Sequence, residues 1–107
     1  MLLSFDTLPL REVCENEDAA IKEYGSNAAR LLRTRLADLR AYETVGDIMV
    51  GHPREINCGE NSYVVNLGEN YQLVFCANHI NVPMVDGKVD WSKVTRIKIL
   101  KIRNSHD

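Results

Sequence analysis

The sequence predicts an α+β, two-layer domain in which an N-terminal α-hairpin packs on a small antiparallel β-sheet. Ala29, Leu32, Leu36 and Leu39 recur at three- and four-residue steps, the apolar stripe of a helix that buries one face. From Tyr63 the period changes to two. Tyr63, Val65 and Leu67 fall on one face of a strand, and Tyr71, Leu73, Phe75 and Ala77 do the same in the next. Helical signals come first and strand signals after, so the two kinds of element segregate into layers. A length of 107 residues holds one such domain, 1–107, and no second.

The elements follow in order. Leu2 to Phe5 is a short apolar run that reads as a strand. Asp6 or Thr7 can cap the next helix, whose first turn accepts Pro9 because early helical N–H groups have no intrahelical partner. Leu10, Val13, Cys14, Ile21 and Tyr24 fall near helical spacing and set the first helix at 8–23. Gly25 is its stop, Ser26 caps a second helix over 27–41, and the two form an antiparallel hairpin through Tyr24-Gly25-Ser26. Thr44 with Asp47 resembles a capping box for one further turn through Ile48. Gly51 and Pro53 interrupt the pattern, so 50–61 reads as an irregular loop. Gly68-Glu69-Asn70 turns one strand into the next. The stretch 78–93, with Pro83, Asp86-Gly87 and Trp91-Ser92, is a long excursion before a last strand over Val94 to Ile102. There the alternation slips: Ile97 and Ile99 share one parity, Leu100 and Ile102 the other. A bulge or burial on both faces accounts for that.

Composition excludes several classes. Hydrophobic residues are 45% and charged residues 26% of the chain, a globular balance, and no apolar run approaches the ~18 residues of a membrane span. The opening stretch lacks the basic and long apolar regions of a secretory signal. Three cysteines without a CxxC spacing do not make a disulfide framework, so a reducing cytoplasm is expected. The formal net charge of −2 gives no global attraction to nucleic acid. Its distribution is uneven, however. Residues 1–60 carry seven Lys/Arg against eleven Asp/Glu, and residues 61–107 six against four. Acid gathers at Glu12, Glu15, Glu17, Asp18 and Glu23, while Lys98, Lys101 and Arg103 stand on the last strand. A local basic surface on a weakly acidic body is compatible with this pattern.

The run Cys14-Glu15-Asn16-Glu17, then Tyr24-Gly25, Ala28-Ala29-Arg30-Leu31-Leu32 and Arg35-Leu36-Ala37-Asp38-Leu39, resembles the HigB-type toxins of the RelE/ParE superfamily, some of them labelled killer or killer-suppression proteins. The similarity continues through Tyr71-Gln72-Leu73-Val74-Phe75, Val85-Asp86-Gly87, Asp90-Trp91-Ser92-Lys93-Val94-Thr95 and the closing Ile97 to His106. It implies a toxin that cleaves mRNA on the ribosome and is neutralised by a helix-turn-helix antitoxin, as a homodimer or a hetero-oligomer with it. ParE-like relatives poison DNA gyrase instead. No cofactor or metal is implied.

Metal-free RNA cleavage needs the 2′-OH activated, the developing phosphate charge stabilised and the leaving oxygen protonated. By the resemblance, Arg54, Gln72 and His106 are the catalytic candidates, with His106 the proton donor, and Lys98, Lys101 and Arg103 hold RNA. The chain departs from the family pattern here. Arg54-Glu55-Ile56-Asn57 stands where the family's loop has a His and a Lys, Gln72 where its strand has an Arg, and Asn104-Ser105-His106 where its ending is Asp-Tyr-His. A neutral Gln brings weaker bonds to phosphate than a charged group. These departures motivate an alternative: a RelE-fold binding module whose chemistry has decayed, pairing with an antitoxin-like partner as co-regulator.

Other residues carry blander expectations. Arg30, Arg33 and Arg40 form a stripe that pairs with the acids of the first helix. Arg35 falls inside the apolar arc and calls for a structural ion pair. Trp91 and Tyr71 are able to stack on bases, but packing is the commoner use. His52 reads as a loop surface residue, and His79 follows a strand with no assigned role. Cys58, His52, Cys76 and His79 lack the spacing of a metal site.

Overall fold

The computed structural model describes residues 1–56 and 61–105. Strand β1 (Leu2–Phe5) leads into helices α1 (Leu8–Glu15), α2 (Glu17–Tyr24) and α3 (Ser26–Ala41). Thr7 caps α1, its hydroxyl accepting the Leu10 N–H at 3.2 Å. The expected helix over 8–23 is in fact two helices, because Asn16 ends one and starts the next. Its backbone is extended, its N–H donates to the Glu12 carbonyl, and its Oδ1 accepts the Ala19 N–H. A short amide side chain competes with the helix for backbone groups in this way. Gly25, at φ 90°, forms the sharp corner between α2 and α3. Ser26 is the first residue of α3 rather than its cap, which is Gly25 with no side-chain bond. The expected capping box is present, with Thr44 and Asp47 closing a 3₁₀ turn over Val45–Asp47.

The main sheet has five strands in the order β1-β7-β4-β3-β2. Strands β2 (Arg54–Ile56), β3 (Ser62–Leu67), β4 (Tyr71–Ala77) and β7 (Arg96–Asn104) pair antiparallel with their neighbours. Two findings correct the sequence reading. β2 lies within the stretch expected to be loop, its three residues too short to show a period. β1 pairs with β7 in parallel, Leu2 opposite Arg96 and Phe5 opposite Ile99, so the sheet is mixed at that edge. A second hairpin, β5 (Met84–Val85) with β6 (Lys88–Val89), occupies the excursion. Asp86 and Gly87 both take positive φ there, as a two-residue type I′ turn requires.

The parity slip in the last strand is a β-bulge. Val74 faces Lys101 and Phe75 faces Ile99, which leaves Leu100 as the extra residue. Ile102 is thereby returned to the face of Ile97 and Ile99, and the three join Val65, Leu67, Leu73 and Phe75 beneath Leu32, Leu36 and Leu39. Trp91 and Tyr71 belong to this side. Trp91 packs tilted against Tyr63 at 4.7 Å and bonds Glu55 through its indole N–H, and Tyr71 meets Tyr24 edge-on at 5.1 Å. Among the described residues no helix is long and apolar enough to cross a membrane.

Candidate functional site

Because strand side chains alternate, the registers place a second set of residues on the sheet face away from the helices. Asn66, Gln72 and Arg103 lie directly opposite one another across β3, β4 and β7; the next row is Arg54, Val64, Val74 and Lys101; the next holds Ser62, Cys76 and Lys98. The bulge makes this possible. Without Leu100, Lys101 and Arg103 would point into the core and Ile102 out of it.

The first two rows are joined by hydrogen bonds. Arg103 Nε donates to Gln72 Oε1 at 2.8 Å, and Gln72 Nε2 donates to Asn66 Oδ1 at 3.4 Å. Arg54 Nη1 donates to the same Asn66 oxygen at 3.4 Å and to the His52 carbonyl at 2.8 Å. Gln72 is buried, while Asn66, Arg54 and Arg103 are half-buried. The backbone under Asn66 is pinned on both sides: its N–H donates to the Gly51 carbonyl at 2.6 Å, and its carbonyl accepts Arg35 Nε at 3.2 Å. Gly51 has φ 77°, and a Cβ there would lie 3.1 Å from both the Asn66 carbonyl oxygen and Arg35 Nε. A side chain at that φ would be strained and would press on both groups.

No protein-family model and no curated protein matches the sequence. Solved structures do. A YoeB/ParE toxin from Agrobacterium tumefaciens aligns over 97% of this chain and 98% of its own, at 10% identity and a TM-score of 0.59. The YoeB dimer from Staphylococcus aureus aligns over 94% and 92%, at 13% identity and 0.55. This chain has the YoeB/ParE toxin fold. At these identities the likeness is one of architecture, which agrees with the α+β expectation.

On that YoeB/ParE-like scaffold four of the candidate residues converge. Arg54, Gln72, Lys101 and Arg103 share adjoining rows of one face. Lys98 shares the face but sits toward the β1 edge, its Nζ 3.8 Å from Asp6 Oδ1. His106 and Asn57 lie outside the described residues, as does Cys58. His79 is at the far end of the sheet, where its Nε2 accepts the Thr95 and Arg96 N–H groups at 3.1 and 3.3 Å. No three described His, Cys, Asp or Glu side chains are grouped to hold a metal ion. Arg35 has the structural role expected of it, paired with Asp38 at 3.0 Å. Arg33 pairs with Glu17 of α2 at 3.1 Å.

Sequence reasoning missed Asn66, the residue to which Arg54 and Gln72 both bond. A signal was present. The three-residue turn sets Leu67 opposite Tyr71, which brings Asn66 opposite Gln72.

Proposed function

We propose that this protein is the toxin of a type II toxin–antitoxin pair, of the HigB type within the RelE/ParE superfamily, and that it acts on mRNA at the ribosome. The observation that carries the reading is the outward sheet face. Arg54, Lys101 and Arg103 are gathered there from β2 and β7, which are separated by β3 and β4. Three of the thirteen Lys/Arg of a weakly acidic chain meet on that surface, a local basic patch of the kind a nucleic-acid partner uses. The fold shared with YoeB/ParE toxins supports the same reading. In it the guanidiniums of Arg54 and Arg103 hold the reacting phosphate and stabilise its charge, and His106 gives the proton to the leaving oxygen. A helix-turn-helix antitoxin is the proposed neutralising partner, and the cytoplasm the proposed location.

A second reading is favoured by one observation. Gln72 is neutral and its Oε1 is already engaged by Arg103, so this position lends no charge to a transition state. That suits a binding module that pairs with an antitoxin and holds RNA without cutting it. The deciding experiment is induced expression with growth, methionine incorporation and thymidine incorporation followed together. Prompt loss of methionine incorporation, abolished by His106→Ala, is the expected result. Earlier loss of thymidine incorporation would indicate gyrase as target. Unimpaired growth with soluble protein present would refute the toxin and leave the binding module.

A further inference from the structure

We propose that Asn66 and Gln72 are positioning residues, an amide bridge that holds the Arg54 and Arg103 guanidiniums at its two ends to receive a phosphodiester. The proposal rests on the RNA-binding reading above and assigns roles that charge counting along the sequence does not reveal.

The argument is one of donors and acceptors. A guanidinium only donates, so Arg103 Nε requires an acceptor, and Gln72 Oε1 meets it at 2.8 Å. That bond turns the Gln72 NH₂ toward β3, where it donates to Asn66 Oδ1. Arg54 reaches the same oxygen from the other side. Both amide oxygens are thus consumed within the bridge. What remains directed to a ligand is donors alone: no described residue accepts from Asn66 Nδ2 or from the Nη groups of Arg103. A place that, among the described residues, offers N–H groups and positive charge selects an anionic acceptor, and phosphate oxygens suit guanidinium geometry.

An arginine in place of Gln72 would supply no acceptor and would set a further cation beside Arg103. The neutral side chain is therefore what fixes Arg103, so that less rotamer freedom is lost when a ligand binds. The anchoring of the Asn66 backbone by Gly51 and Arg35 extends the same rigidity to helix α3. These residues form a layer behind the charges, and the charges meet the ligand.

The test is binding of a short fluorescein-labelled single-stranded RNA to the full chain, followed by anisotropy across a range of salt. Arg103→Ala is expected to weaken binding about tenfold and to reduce the salt slope by about one. Gln72→Met, similar in length but without hydrogen-bonding groups, is expected to weaken it by a comparable factor. Since Gln72 acts through Arg103, the double variant should bind within about twofold of Arg103→Ala alone. The exchange Gln72→Arg with Arg103→Gln restores a donor–acceptor pair in reverse. It should recover binding that Gln72→Arg alone loses, and it decides the matter should Gln72→Met fail to fold. Additive losses, or no recovery on exchange, would overturn the bridge while the RNA reading stands. Unchanged binding in both Arg54→Ala and Arg103→Ala would overturn the RNA reading and the bridge with it.

Discussion

Cys14 lines the cleft between the three helices with Val13, Ala20, Ala29 and Leu32, and burial pushes its thiol from 9.0 up to about 11. The folded chain keeps the proton where the unfolded chain begins to ionise. The stabilisation is therefore whole below about pH 9 and is lost as pH rises through about 11. Cys14→Ala should flatten the fall of the urea midpoint across that window, and parallel curves for the two proteins would show the burial to be without consequence. A residual slope is expected, since burial also raises Cys76, Tyr24 and Tyr63. At this scale Arg54, Lys101 and Arg103 were nameable from the sequence and its resemblance, and the structure sets them on one sheet face. Asn66 was not, because an amide at an outward strand position looks like any solvated residue until its cross-strand neighbour is known.

Among the elements, Asn16 and Leu100 are single residues that decide a segment's shape. Asn16→Ala removes the side-chain cap of α2 and should cost about 1 kcal/mol in chemical denaturation; a change under a few tenths would mean the cap bond is idle. Deleting Leu100 removes the bulge and inverts every later side chain of β7. The deletion should abolish both cooperative unfolding and RNA binding, whereas Leu100→Ala, which keeps the extra residue, should retain both. Local pattern made much of this level readable: α3 from its leucine spacing, the β3–β4 hairpin from its alternation, the bulge from its broken parity. It failed at β2, where Pro53 and three residues leave no period to detect, and at the break in the first helix, where Asn16 fits the 3.6-residue pattern while its side chain ends it. The β5–β6 hairpin was signalled by Asp86-Gly87, but its strands of two residues each are too short to register.

Across the whole molecule the charges are divided. On the helix layer exposed Glu12, Glu15, Glu17, Asp18 and Glu23 are balanced by exposed Arg11, Lys22, Arg30, Arg33 and Arg40, whereas on the opposite side of the sheet Arg54, Lys101 and Arg103 stand together. On the RNA-binding reading proposed above, the binding constant should fall with salt at a log–log slope of roughly −2 for three cations on a single strand. A slope near zero would remove the electrostatic basis of the proposed interface. The parallel pairing of β1 with β7 is the least local feature of the fold, and no reading of short windows could have found it. It also bears on the order in which the fold assembles. β7 lies between β1 and β4, so a growing chain that has not yet released Arg96–Asn104 has neither a closed sheet nor two of the three cations. Contacts of such long sequence separation form late. The last strand to be made is thus the one that joins the first strand to the rest of the sheet and completes the cationic face.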